Sequence, residues 1–197
     1  MLPHHLHTTP DPPPLPSAGY DYVVAANGVF VRAQTALLTA CLCLAPATQP
    51  VRGLLPLTPS LRVVSRVPYG LLQVAIDDAR RQLTIEHLYR ITRTDAQLTL
   101  VKPPQRGTPG SVTAPAAAAD TLVEIHTHPG SAFFSATDDA DETDCRFYLV
   151  LGQLTRQLPA VAFRLGVYGH RFPLPLNALF EDIPHDHAHP TPYPHPA

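Results

Sequence analysis

In LVEIHTHPGSAFFSATDDADE, residues 122–142, two histidines stand two apart, a Pro-Gly pair follows, and a serine precedes an aspartate by three. On a β-strand, residues two apart point to one face, so His126 and His128 can offer two imidazoles to a single ion. Zinc takes neutral imidazole at about 2.0–2.1 Å in a tetrahedral shell, with one position open when the ion is catalytic. A third ligand is then required. Asp138 is the natural candidate, because Pro129-Gly130 can turn the chain and the first turn of a following helix can swing back beside the strand. Ser135 then lies beside the ion.

The same residues have plainer uses. A His-x-His pair can be structural or merely exposed, and Ser135-x-x-Asp138 can be a helix N-cap with an acidic residue at N3. Taken singly, each plain use suffices. The ordered set of strand, His-x-His-Pro-Gly, short loop, Ser-x-x-Asp and acidic helix is what favours a metal site.

Several elements must position these residues. TLVEIHTH reads as a strand running into the motif, and TDDADETDC carries the acidic first turn of a helix. FYLVLG, AVAFRLGVYG and RFPLPL read as closing strands. Upstream, PYGLLQVAIDDARRQ places Leu71, Leu72, Ala75, Ile76 and Ala79 on one helical face and Asp77, Asp78, Arg80 and Arg81 mostly on the other. This predicts an amphipathic helix over 68–81 with Pro68 in its first turn. LTIEHLYRIT and AQLTLV predict two strands around an RTDA turn, and LRVVSRV another. YDYVVAANGVFVRA predicts a hairpin about Asn27-Gly28, with strands near 20–25 and 29–33. TALLTACLCLA reads as a buried strand or short helix, PATQPVRGLLPLTPS as a loop, and KPPQRGTPGSVTAPAAAAD as a long linker. The chain thus divides into a flexible Pro/His-rich lead (1–19), a β-rich extension (20–60), a main domain (61–182) and a disordered His/Pro-rich tail (183–197).

Length and composition bound the function. The 197 residues suffice for one domain with tails, and 24 prolines cluster mainly at the ends and in the linkers. A formal charge of −2 provides no broad basic face, so sequence-independent nucleic-acid binding has little electrostatic support. Three cysteines, Cys41, Cys43 and Cys145, are an odd count that fits a reducing cytoplasm better than a disulfide framework, with Cys145 as a small buried hydrophobe. The N-terminus has no apolar signal-peptide core, and TALLTACLCLAPA falls short of the about 20 residues that span a bilayer. The expectation is a cytoplasmic protein with no membrane segment. Composition leaves the oligomeric state open.

HTHP at 126–129 and SATD at 135–138 resemble the signature of the JAMM, or MPN+, zinc metallopeptidases. One residue fewer separates His128 from Ser135 than is usual in that family. Spacing from the second histidine therefore points to Asp139, whereas Ser-x-x-Asp points to Asp138. The family also places a glutamate, its general base, in a strand just after an amphipathic helix. Glu86 in LTIEHLYR takes that place, although His87-Leu88 stand where Cys-Gly is common; Glu124, on the strand face of His126, is the competitor. Across roughly 20–182, YDYVVAANGVFVRA, AFFSATDDADE and RLGVYGH resemble the bacterial PRTRC system protein A branch.

The resemblance implies an α/β fold: a single MPN, cytidine-deaminase-like domain with a mixed β-sheet flanked by helices and an N-terminal β-hairpin extension. It implies Zn²⁺ on His126, His128 and Asp138, catalytic roles for Glu86 and Ser135, and hydrolysis of a peptide or isopeptide bond. The substrate it implies is a protein or peptide, with a ubiquitin-like C-terminal tail suggested by the ubiquitin-like components that accompany such relatives. Two rivals stand beside this enzyme reading. One is a non-catalytic MPN scaffold within a multi-protein system. The other is a metal-sequestering protein built on His4, His5, His7, His185, His187, His189 and His195.

Overall fold

The structure is a computed structural model and describes residues 3–187. The chain divides into two compact units, one comprising Met1–Ser65, Thr143–Cys145 and Gly166–His170, the other Arg66–Glu142, Arg146–Leu165 and Arg171–Ala197. Among the described residues, both are built mostly of sheet, with few helices and no barrel. Among the described residues, no helix is long and apolar enough to cross a membrane.

The first unit is a five-stranded sheet of β1 (His4–Leu6), β2 (Tyr20–Ala25), β3 (Gly28–Gln34), β4 (Leu38–Pro46) and β5 (Ser60–Val63), in that order. The hairpin about Asn27-Gly28 is present, but Ala26 and Asn27 form its turn and Gly28 opens β3. Gly28 has φ +148°, and a Cβ there would meet the Ala45 carbonyl oxygen at 2.4 Å, so only glycine fits. The Asn27 side chain exchanges two 2.9 Å bonds with the Leu57 backbone, pinning the 47–59 loop. Val23, Ala25, Phe30 and Cys41 form a buried cluster, and the stretch over 35–45 resolves to strand from Leu38 onward.

The lead expected to be flexible over 1–19 is tied down in its described residues. β1 pairs in parallel with Tyr22–Val24 of β2. Buried Arg32 ion-pairs with Asp21 at 2.6 Å and donates to the carbonyls of Pro13 (2.6 Å) and Pro14 (3.3 Å). Prolines offer no N–H to a ladder, but their carbonyls satisfy a buried guanidinium. Of the 183–197 tail, 188–197, including His189 and His195, lie outside the described residues; His187 bonds the Tyr69 hydroxyl at 2.6 Å and the Pro159 carbonyl at 2.8 Å.

The second unit opens with β6 (Val67–Pro68) and α1 (Tyr69–Ala79). Pro68 is the N-cap of α1 rather than a first-turn residue, with ψ 129°. Tyr69, Leu72, Ala75, Ile76 and Ala79 are buried, the face that the 3.6-residue period predicts. There follow β7 (Leu88–Thr94), β8 (Gln97–Val101), β9 (Arg106–Thr108), β10 (Ser111–Thr113), β11 (Thr121–Thr127), α2 (Ala136–Asp141), β12 (Cys145–Gly152), β13 (Ala160–Val167), β14 (His170–Pro173) and β15 (Phe180–Glu181). The main sheet has the order β14-β13-β12-β11-β7-β8, with β11 parallel to β12 and antiparallel to β7. All eight residues of β12 are buried, which is why its sequence reads as a continuous apolar run from Phe147 onward.

Two expectations change here. The linker over 102–120 contains the β9–β10 hairpin, obscured in the sequence by its Pro, Gly and Ala content. Glu86 lies in the extended lead into β7, two residues before the strand begins. The hairpin holds it there: the Glu86 amide donates to the Thr108 carbonyl at 2.8 Å. A Cβ on Gly107 would come within 2.2 Å of the Glu86 carbonyl oxygen, so the close approach needs glycine.

Candidate metal centre

β11 lies between β7 and β12, with His126 opposite Leu88 on one side and Val150 on the other. One residue past the strand, the His128 amide still donates to the Leu151 carbonyl at 2.8 Å, so both histidines keep the strand's alternation. Their Nε2 atoms stand 3.1 Å apart. Asp138 Oδ1 lies 3.1 Å from His126 Nε2, and Asp138 Oδ2 lies 3.7 Å from His128 Nε2. Two ligands about 2.1 Å from a tetrahedral ion are about 3.4 Å from each other, so these separations fit a zinc-sized cation. This is the one group of three or more His, Cys, Asp or Glu donors, among the described residues, whose ligand atoms all lie within 4.8 Å of one another.

The loop between the histidines and α2 is fixed by the end of β12. The Gln153 amide donates to the Gly130 carbonyl at 2.6 Å. A Cβ on Gly152 would strike the Ala132 amide nitrogen at 2.2 Å, so glycine there lets the loop lie against the strand. The Ser131 backbone in turn hydrogen-bonds the His128 ring. Such a bond fixes the tautomer and orientation of an imidazole whose other nitrogen is to hold a metal.

Ser135 is the N-cap of α2 in a complete capping box: its hydroxyl oxygen accepts from the Asp138 amide at 3.2 Å, and Asp138 Oδ2 accepts from the Ser135 amide at 2.6 Å. The capping use and the metal-facing use of Ser-x-x-Asp therefore coexist, because Asp138 caps with one oxygen and faces His126 with the other. Asp139 turns elsewhere, to Arg164 at 2.7 Å and Arg171 at 3.2 Å. The short loop thus leaves Asp138 at the cluster.

Charge states suit metal binding. Burial pushes the Asp138 carboxyl up, but the His126 ring and the Ser135 bonds outweigh it and hold the group well below the ordinary carboxylate range. Burial, followed by the neighbouring His126, lowers the His128 pKa, which favours the neutral imidazole that a metal takes. Two imidazole nitrogens face to face at 3.1 Å cannot both carry hydrogen, so at least one lone pair is bare. Glu86 is 8% exposed, its Oε1 lies 3.9 Å from His128 Nε2, and burial raises its pKa. A raised carboxylate beside a donor cluster is what a proton carrier requires.

Glu124 is differently engaged. Its carboxylate accepts from Arg90 Nε at 3.0 Å and pairs with Arg146 at 3.7 Å. Cys145 is buried in β12 and forms no disulfide among the described residues. Two residues not singled out from the sequence belong to the site's surroundings. Glu142, the C-cap of α2, is 4% exposed and its carboxyl is pushed up to about 7 by burial, against the opposing charge of Arg164. Arg164 is the lone charge inside the apolar run AVAFRLGV, and a charge within a buried strand demands a partner. That rule was the available signal for it.

No family model matches the chain, and no curated protein matches it. Among solved structures, the chain is similar to the solution structure of a Desulfitobacterium hafniense protein determined as a structural genomics target. The two share 14% identity with a TM-score of 0.42, over 62% of this chain and 97% of that one.

Proposed function

We propose that the chain is a zinc-dependent peptidase or isopeptidase of the JAMM type, with an MPN, cytidine-deaminase-like main domain. The observation that carries the reading is the convergence of His126 Nε2, His128 Nε2 and both Asp138 oxygens, with the Glu86 carboxylate 3.9 Å from His128. The sequence resemblance of HTHP and SATD points the same way. Zinc bound there supplies a Lewis acid and brings the pKa of water from about 15.7 to about 7.

The protein's own groups do the rest. His126, His128 and Asp138 hold the ion. Glu86, raised by burial, accepts the proton of the attacking water at its carboxylate and returns it to the leaving amine. The Ser135 oxygen accepts from the Asp138 amide, which leaves its hydroxyl hydrogen available to donate to the developing oxyanion. A ubiquitin-like C-terminal tail is the substrate class that the resemblance favours.

The test is single-turnover hydrolysis of tail-peptide amides and ubiquitin-like fusions by zinc-loaded protein, with zinc measured on the same samples. Glu86→Gln keeps its zinc and loses about 10²–10⁴-fold in cleavage rate. Cleavage by Glu86→Gln at the parent rate would overturn the assignment of the base. Fully zinc-loaded parent that cleaves nothing across the panel would favour the scaffold reading.

A further inference from the structure

A helix as short as α2 cannot hold itself in place. It has six residues, none of them buried, whereas isolated helices are marginal in water below about 12–15 residues. Yet it carries Asp138, whose carboxylate must keep one direction if it is to complete a metal site. The capping box fixes only the first turn.

The remainder is held chiefly by one side chain from β13. Arg164 is 7% exposed, and its Nε and a terminal nitrogen each reach Glu142 Oε2 at 2.6 Å. The same terminal nitrogen donates to Asp139 Oδ1 at 2.7 Å. The guanidinium carbon lies 3.6 Å from the centre of the Phe134 ring. Phe134 precedes the N-cap, Asp139 lies within the helix and Glu142 is its C-cap, so one guanidinium grips the segment before, along and after Asp138. A planar fork that stacks on one face and donates along its edge can make all three contacts together; a lysine ammonium cannot. Arg171 adds a second grip on Asp139 at 3.2 Å.

The geometry points to Arg164 as the positioning residue for Asp138, acting through Phe134, Asp139 and Glu142 without touching the ion. This rests on the reading of His126, His128 and Asp138 as a metal site. Loss of such an outer partner typically weakens metal binding by about 10–100-fold.

The experiment titrates the metal-free 197-residue chain with Co²⁺, whose visible absorption reports coordination geometry, for the parent, Arg164→Gln, Arg164→Lys and Arg171→Ala. Amide hydrogen exchange over residues 135–142 is followed in the absence of metal, and far-UV circular dichroism checks the fold. Arg164→Gln and Arg164→Lys should bind Co²⁺ about 10–100-fold more weakly, with a changed band at saturation and faster exchange at the Asp139 and Glu142 amides. Arg171→Ala, which leaves the Glu142 and Phe134 contacts in place, should change far less. Arg164→Lys keeps the buried positive charge and so guards against a variant that simply fails to fold. Folded Arg164 variants with the parent's Co²⁺ affinity and spectrum would overturn the proposal. Protection of α2 that Arg164→Lys leaves unchanged would overturn the clamp itself. A parent that binds no Co²⁺ would overturn the metal reading, and with it the role assigned to Arg164.

Discussion

At the scale of single residues, Asp138 decides what the Ser-x-x-Asp segment is for. Its two oxygens divide the work, Oδ2 closing the capping box with Ser135 and Oδ1 facing His126. An asparagine retains an acceptor for the cap but lacks the anionic charge that a cation needs. Asp138→Asn should therefore keep a folded α2 and lose the metal, whereas Asp139→Ala, which removes contacts only to Arg164 and Arg171, should stay loaded. Metal content after dialysis against a weak chelator distinguishes them. A loaded Asp138→Asn beside an empty Asp139→Ala would show that total spacing from His128 sets the ligand. Glu124 stands outside this division, since its carboxylate is taken up by Arg90 and Arg146.

At the scale of elements, α1 is joined to the strands that follow it by Asp78, whose carboxylate accepts from the Tyr89 hydroxyl at 2.9 Å and from Lys102 at 2.7 Å. Those two bonds outweigh the burial that would raise it, and they hold its pKa below the ordinary value of 3.8. A carboxyl depressed in the folded state adds stability that is fully present above its unfolded pKa and is lost as pH falls through the folded one. Asp78→Asn should thus lower the melting temperature at pH 7, with the gap to the parent closing at and below about pH 3.8. A gap that persists unchanged into acid would show that the side chain acts by packing alone. What the sequence disclosed about the elements was local in origin. The buried face of α1, the alternation that aligns His126 with His128 and the cap at Ser135 are all short-range patterns. The insertion of β11 between β7 and β12 is a long-range pairing with no local trace. β1 is too short to show a period, and β9–β10 is obscured by linker-like composition. Glu86 was reached through family resemblance because its approach to His128 spans 42 positions of chain. Arg164 and Glu142 acquire their meaning only when β13 and α2 meet.

At the scale of the whole molecule, the residues assigned to the site all fall in one compact unit: Glu86, His126, His128, Ser135, Asp138 and Glu142 in Arg66–Glu142, and Arg164 in Arg146–Leu165. The other unit holds its own core and its own buried Arg32–Asp21 pair. Three of the described histidines near the chain's ends, His5, His7 and His187, are engaged within the fold. His7 is buried, His5 lies 3.3 Å from Asp21, and His187 bonds Tyr69 and Pro159. A sequestering protein would lose little by surrendering His126 and His128, whereas a single-site protein would lose everything. The most direct measurement is therefore zinc per chain, by elemental analysis of the 197-residue chain after dialysis, for the parent and for the His126→Ala, His128→Ala double variant. Folding of both is checked by circular dichroism. The difference cancels any ions held elsewhere. The account predicts a difference close to one zinc per chain, and equal zinc in the two folded proteins would contradict it.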